Sequence, residues 1–274
     1  MTDSKRMGSR FGPPRPWSRD FFRILSWNIE RGLQFPKIVD FLQTIQADLL
    51  LLQEVDLNAR RTHYRDVASE LAQALKLNYV FGVEFQELSQ GTRTRPAFHG
   101  MATFSPWPLS EPRIIRFRDQ STFWKPRWYV PDLPLFQRRL GARIALVADA
   151  TIYGRKVVAY NLHLESRSPD ELRLRQLNEV LADCRKYADQ PRSVIAGDFN
   201  LNAGNGDAAS SLRDAGFHDA VRLPEFPTSA AHGLSHYGHT IDWIFVSDTA
   251  DSQGQVHNDI RASDHYPVSA TLAR

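Results

Sequence analysis

Cysteine is almost absent. A single residue, Cys184, stands in 274, so no internal disulfide can form and no CxxC or zinc-finger spacing exists. Cys184 falls in the helix-like run LNEVLADCRKY and reads as a packed thiol, not a nucleophile. Long apolar runs are missing too. Nothing approaches the roughly 20 residues needed to cross a bilayer. The opening MTDSKRMGSRFGPPRPWSRD is polar, basic and proline-containing, without the apolar stretch of a secretory leader. Net charge is only +3, which excludes a strong chain-wide pull toward polyanions. No internal repeat occurs, and no linker follows residue 20. These absences predict a soluble, cytoplasmic, monomeric protein with no membrane partner. A loose basic tail is expected over residues 1–20 and one folded domain over 21–274.

What is present alternates between two periods. FFRILSW reads as a strand, and FPKIVDFLQTIQ as an amphipathic helix with Ile38, Phe41, Leu42 and Ile45 on one face. DLLLLQEV has the continuous apolar character of a buried strand. YRDVASELAQALK reads as a helix, and NYVFGVEF and GMATFS as strands. GARIALVADATIYGRKVVAYNLHLE reads as two long strands around a Tyr-Gly turn. A charged amphipathic helix follows from about Pro169 to Tyr187. SVIAGDFN is a strand, GDAASSLRDAG a helix closed by glycine, and TIDWIFVS, VHNDI and YPVSATL are late strands. Strands outnumber helices and include hairpins. The pattern predicts an α/β sandwich of two mixed sheets with helices outside.

Apolar strands in this chain repeatedly end in polar side chains. LSWNIE puts Asn28 at a strand end, and LLLLQEVD does the same with Glu54. VVAYNLHLES carries Asn161 and His163 two apart, on one strand face. SVIAGDFNLN delivers Asp198 and Asn200, TIDWIFVS starts near Asp242, and SDHYPV sets Asp264 and His265 before the last strand. Each alone is ordinary, because Asn and Asp are common turn formers. Six together point to one polar cleft at a shared edge. No serine or cysteine stands in a nucleophile context such as GxSxG. Carboxylate oxygens suit a hard divalent cation, Mg²⁺ or Mn²⁺. A His–Asp pair suits activation of water, and amides with a second histidine suit donors aimed at a charged oxygen. The inventory describes metal-assisted hydrolysis of a phosphoester.

In order, WNIERG, LQEVD, GMATFS, NLHLES, AGDFN, TIDWIFVS and SDHYPV resemble the motifs of the endonuclease/exonuclease/phosphatase superfamily, over about residues 22–272. The resemblance implies a four-layer α/β sandwich, two mixed central β-sheets flanked by helices, with the active site at one edge. It implies metal-site roles for Asn28, Glu54 and Asp264, with Glu54 the direct ligand. His265 matches the histidine near the scissile phosphate, and Asp242 the aspartate that orients it. Asp198 and Asn200 match the pair that positions the attacking water. His163 matches a phosphate-binding histidine, supported by Asn161. Either Asp198 or the Asp242–His265 pair is the base. Met101 departs from the asparagine that many relatives carry after the glycine of the GMATFS motif.

The segment HLESRSPDELRLRQL also resembles 5′-tyrosyl-DNA phosphodiesterases. That likeness offers Ser166, Arg167, Arg173 and Gln176 for a phosphate site, against an equal reading in which Arg173 and Gln176 simply face solvent or clamp the loop by hydrogen bonds. Residues 113–143 hold eight Lys or Arg against two Asp, interleaved with aromatics. Lys125, Arg127 and Trp128 are therefore candidate contacts to a nucleic acid. In HGLSHYGHTIDW, flanking glycines favour a loop over a zinc-binding helix face, and only His239 lies near enough to the cleft to count. The first expectation is a Mg²⁺- or Mn²⁺-dependent phosphodiesterase of nucleic acid. The alternatives are a phosphoesterase of a small or lipid substrate, or a non-catalytic binding protein sharing the fold.

Overall fold

The computed structural model describes residues 5–7, 20–121, 129, 131, 138–187, 191–222, 227–230, 238–247 and 251–273. In chain order the strands are β1 (Lys5–Met7), β2 (Phe21–Arg31), β3 (Leu49–Leu57), β4 (Asn78–Glu87), β5 (Ala97–Ser105), β6 (Leu109–Arg116) and β7 (Arg139–Gly141). They continue with β8 (Ile144–Ile152), β9 (Arg155–His163), β10 (Arg192–Asp198), β11 (His218–Asp219), β12 (Asp242–Val246), β13 (Ser252–Val256) and β14 (Val268–Ala273). The helices are α1 (Phe35–Ile45), α2 (Val67–Leu75), α3 (Asp170–Cys184) and α4 (Gly206–Asp214). Within the N-terminal stretch read as a tail, β1 pairs with β4; the rest of residues 1–19 lies outside the described residues.

Two mixed sheets result. One runs β1-β4-β5-β3-β2-β14-β13, with β7 also on β4; the other runs β11-β12-β10-β9-β8-β6. The period-2 alternation of the strands sorts side chains into three cores. Ile24, Leu49, Leu51, Leu146, Ala159, Val194 and Ile244 fill the space between the sheets. Leu25, Trp27, Leu50 and Leu52 turn the other way, onto Ile38, Phe41 and Leu42 of α1 and Val67 and Leu71 of α2. Val147, Val158, Tyr160 and Ile195 turn outward from the second sheet onto Leu177, Val180 and Leu181 of α3 and Leu212 of α4. The order is helix, sheet, sheet, helix, the expected four-layer sandwich. Burying LLLL of β3 on both faces explains why that strand shows no polar alternation.

Local signals set the helix ends. Pro36 sits in the first turn of α1, where its missing N–H costs nothing, and Gln46 closes the helix in the left-handed region. The Asp66 carboxylate caps α2 by accepting from Ser69 N at 3.0 Å. Among the described residues no helix is long and apolar enough to cross a membrane.

Besides the short strands β1, β7 and β11, two elements differ from the sequence reading. β6 was not expected, because LSEPRIIR carries a proline and little alternation. It lies at the edge of its sheet, with a register shift between Ser110 and Arg113 that accommodates Pro112. The strand expected in VHNDI lies earlier, at Ser252–Val256, and residues 258–259 are a turn.

Gly197 shows how tightly the central strand is set. Its φ is +149°, and a Cβ there would stand 2.0 Å from Leu162 O on the parallel neighbour β9. Gly197→Ala is expected to lower stability by about 2–3 kcal/mol, as overpacking does. Gly154→Ala, where a Cβ meets nothing within 4 Å, is the comparison and should lose less. Urea unfolding midpoints read the difference.

Candidate active site

Strand register assembles one half of the site. In the second sheet Asp198 stands opposite His163 on β9 and opposite Asp242 on β12. All three are nearly inaccessible. Asn200 follows in the left-handed region, φ +52°, which asparagine tolerates. Its N–H donates to Asp198 Oδ1 at 2.9 Å, and its amide donates to Leu164 O at 3.1 Å.

The first sheet supplies the other half. The parallel β2–β3 ladder holds from Ile24/Leu49 to Asn28/Gln53, then shifts before Arg31/Val55. The β3–β5 ladder shifts between Leu52 and Val55. Within this bulge Glu54 adopts φ +53°, a conformation a glutamate occupies only under constraint. The bulge turns the carboxylate out of the strand pattern, where Arg31 Nη2 meets Oε2 at 3.4 Å. Burial works against the Glu54 charge, yet Arg31, His99, His163 and Arg143 outweigh it and hold the carboxyl well below the usual range. Asn28 Nδ2 crosses between the sheets to Asp198 Oδ2 at 3.2 Å, and its Oδ1 accepts from Glu30 N at 3.1 Å. Ser263 Oγ donates to Asn28 O at 2.7 Å and lies 3.2 Å from Asp264 Oδ1. Trp27 Nε1 donates to His265 O at 2.9 Å. These bonds fix the SDH segment against β2.

Asp198 Oδ2 is the meeting point. Besides Asn28, His163 Nε2 lies 3.7 Å from it and His265 Nε2 lies 3.8 Å from it. Asp242 Oδ2 accepts from Thr228 Oγ1 at 2.7 Å and pairs with His265 Nδ1 at 2.9 Å. Burial opposes a charge on His265, but Asp242 and then Asp198 outweigh it and raise its pKa well above the ordinary value. Asp242 is pushed up as well, by burial first and by Asp198 in addition. Its Oδ1 is buried with no hydrogen-bond partner among the described residues, consistent with that cost. Ligating atoms of Asp198, Asp242 and His265 lie within 4.8 Å of one another, close enough to share a cation.

The structure thus brings Asn28, His163, Asp198, Asn200, Asp242 and His265 together, with Glu54 and Asp264 at the neighbouring tips. Asn161 is not in the cleft. It is fully buried, accepts from Gln53 Nε2 at 2.8 Å, and donates to Leu52 O and Ala102 O at 3.1 Å each. It ties the two sheets together. Ser166 is bound to Arg143, 3.4 Å from Nη2, while Arg167 is exposed. Arg173 donates to Glu165 O and Ser166 O, and Gln176 holds Glu165 N and Asp119 O, so both clamp the loop. The His239 side chain is exposed, beside the Thr228–Ser229 segment that its carbonyl binds. Lys125, Arg127 and Trp128 lie outside the described residues. Four other basic residues of 113–143 face carboxylates: Arg113 meets Asp183, Arg118 meets Glu179, Arg139 meets Glu87 and Arg143 meets Glu84.

Sequence reasoning missed Thr228, Arg143 and Glu84. Thr228 carries no readable signal. Glu84 does: a lone carboxylate inside the apolar strand NYVFGVEF demands a buried partner. That partner is Arg143, whose Nη1 lies 3.1 Å from Glu84 Oε1. Burial opposes ionisation of Glu84, but His163, once protonated at acid pH, and the Arg143 guanidinium prevail, and its pKa is pulled down to about 2.

The sequence matches the Endonuclease/Exonuclease/phosphatase family over residues 25–265. No curated protein matches it at a significant level. Among solved structures, an endonuclease/exonuclease/phosphatase from Beutenbergia cavernae is 18% identical, with TM-score 0.65 over 93% of this chain and 72% of that one. Truncated TDP2 from Caenorhabditis elegans is 18% identical, with TM-score 0.62 over 93% and 98% of the two chains. An endonuclease/exonuclease/phosphatase from Bacteroides vulgatus is 16% identical, with TM-score 0.64 over 93% and 99%.

A carboxyl whose folded pKa is depressed stabilises the fold above its unfolded pKa and loses that contribution as pH falls through the folded value. For Glu84 the window runs from 4.5 down to about 2. Glu84→Gln strands the Arg143 charge and is expected to cost about 3–5 kcal/mol at neutral pH. Between pH 4.5 and 2 its stability should fall less steeply than the wild type's. Denaturant titrations across that range read both effects.

Proposed function

The chain belongs to the endonuclease/exonuclease/phosphatase family, a family of hydrolytic phosphoesterases, and from that premise we propose that it is a Mg²⁺- or Mn²⁺-dependent phosphodiesterase acting on nucleic acid. One observation carries the reading: donors from Asn28, His163 and His265 converge on Asp198 Oδ2, beside a Glu54 carboxylate held ionised. Nucleic acid is favoured by the likeness of HLESRSPDELRLRQL to 5′-tyrosyl-DNA phosphodiesterases. It is favoured also by an exposed basic rim, Arg60 and Arg93 with Tyr64, on the loops after β3 and before β5. These loops lie at the sheet end that carries Glu54.

The donor set fits a hard divalent cation. Glu54 offers a charged oxygen turned outward by its bulge, and Asp264 and Asn28 add oxygen atoms nearby. Glu54, Asp264 and Asn28 would hold the ion. When bound, it supplies Lewis-acid neutralisation of charge on the phosphoryl and leaving oxygens.

The chain's own groups do the rest. Asp198 accepts a proton from the attacking water and orients it, with Asn200 N–H and Asn28 fixing the carboxylate. The water oxygen bonds to phosphorus, the ester P–O bond breaks, and the leaving oxygen is protonated by solvent. His265, held charged by Asp242 and Asp198, and His163 meet the negative oxygens as they develop. Removing one such donor costs about 10²–10³-fold in rate.

The test is a panel of single-stranded, double-stranded, abasic and 5′-tyrosyl DNA, with phospholipids and sugar phosphates alongside. Metal-stimulated cleavage of a DNA substrate is expected. Glu54→Gln, Asp198→Asn and His265→Asn should each lower it at least about 100-fold while the fold persists by circular dichroism. Turnover confined to phospholipids or sugar phosphates would move the substrate class. Absence of any hydrolysis and of Mg²⁺ or Mn²⁺ binding by calorimetry would remove the assignment.

A further inference from the structure

We propose that Arg143 is a positioning residue that fixes the tautomer of His163, so that His163 presents an Nε2–H donor to the cleft. Arg143 is 3% exposed, and its Nη1 lies 2.8 Å from His163 Nδ1. A guanidinium has N–H donors and no acceptor, so at this distance Nδ1 must accept. The proton of the neutral ring then sits on Nε2. Glu84 does not compete for the role. Its Oε2 stands 3.4 Å from Nδ1 without forming a hydrogen bond, while Oε1 takes a hydrogen from the same Nη1 at 3.1 Å. The two hydrogens of Nη1 are thus divided between Glu84 and His163.

The arginine is itself held from several sides. Gln120 Oε1 accepts from Arg143 N at 3.1 Å, and Gln120 Nε2 donates to Arg143 O at 2.9 Å. The Phe85 ring lies 5.5 Å from the guanidinium carbon. Glu84 therefore serves to anchor and neutralise Arg143, which in turn orients the ring.

The arrangement inverts that of the second imidazole. His265 Nδ1 faces a carboxylate, Asp242, and must carry a proton to bond it. His163 Nδ1 faces a guanidinium and must not. Two rings aimed at one oxygen are therefore given different roles by what stands behind them. His163 Nε2, 3.7 Å from Asp198 Oδ2, is beyond hydrogen-bond length and is left as a donor for an incoming phosphoryl oxygen. This last step rests on the phosphodiesterase reading; the tautomer does not.

Two measurements decide it. In full-length protein labelled with ¹⁵N-histidine, the His163 ring, identified by its loss in His163→Gln, should show a protonated Nε2 and a bare Nδ1 at neutral pH. A proton on Nδ1 in the wild type overturns the proposal. That reading needs no active enzyme and no variant of Arg143. The second follows Mg²⁺-stimulated hydrolysis of bis(p-nitrophenyl) phosphate. Arg143→Met should lower kcat about 10²–10³-fold with KM little changed. Arg143→Lys, which still only donates, should retain most of the activity. In a His163→Ala background, Arg143→Met should cost nothing further. Multiplicative losses in the double variant would show that Arg143 does not act through His163. If no probe is hydrolysed at all, the proposed function fails and the ¹⁵N spectrum still decides the tautomer.

Discussion

A carboxylate taken out of water costs several kcal/mol unless charge or donors meet it. The seam where the two sheets end buries Glu84, Asp198 and Asp242 almost completely. Each is met by groups from other strands or from the loops at the strand ends. Asp198 has Asn28 from β2 and Asn200 N–H; Asp242 has Thr228 and His265; Glu84 has Arg143 and, at longer range, His163. These partners are far apart in sequence and reach one another only if both sheets hold the correct register. A one-residue slip would turn those on strands, Asn28, Glu84, His163, Asp198 and Asp242, to the opposite face. The compensation of buried charge therefore couples the geometry of the site to the integrity of the sandwich.

The sandwich is built to hold that register. Gly197 lets β10 close on Leu162 O without a side chain in the way. Asn161 and Gln53 bridge the sheets through amide hydrogen bonds, so a residue first read as a support for His163 serves alignment instead. The bulges at Glu30–Arg31 and Glu54 spend backbone strain at the point where a carboxylate must leave the strand pattern. Sub-ångström placement matters, because small displacements of reacting groups cost about 100-fold in rate.

Much of this was legible beforehand. The unbroken apolar run Leu49 to Leu52 and the polar tips at Asn28, Glu54, Asp198 and His265 are local patterns with one physical cause each. Edge strands were harder. β6 and β13 pack on fewer neighbours, so selection for apolar alternation is weak and proline or glycine is tolerated. Arg143 stood in a stretch whose abundant arginines suggested phosphate contacts, yet its described neighbours include the Glu84 carboxylate and the His163 imidazole. Nothing in a list of basic residues distinguishes an arginine that binds a ligand from one that neutralises a buried glutamate.

By itself the sequence determined most of the segments that form strands, which of their faces turn inward, and which polar side chains arrive at strand ends, because each follows from short-range periodicity and turn chemistry. Only the tertiary structure decided what stands behind each histidine. A carboxylate lies behind His265 and a guanidinium behind His163. That difference, which sets where each ring carries its proton, depends on contacts between residues up to 23 positions apart and on two sheets meeting at one end.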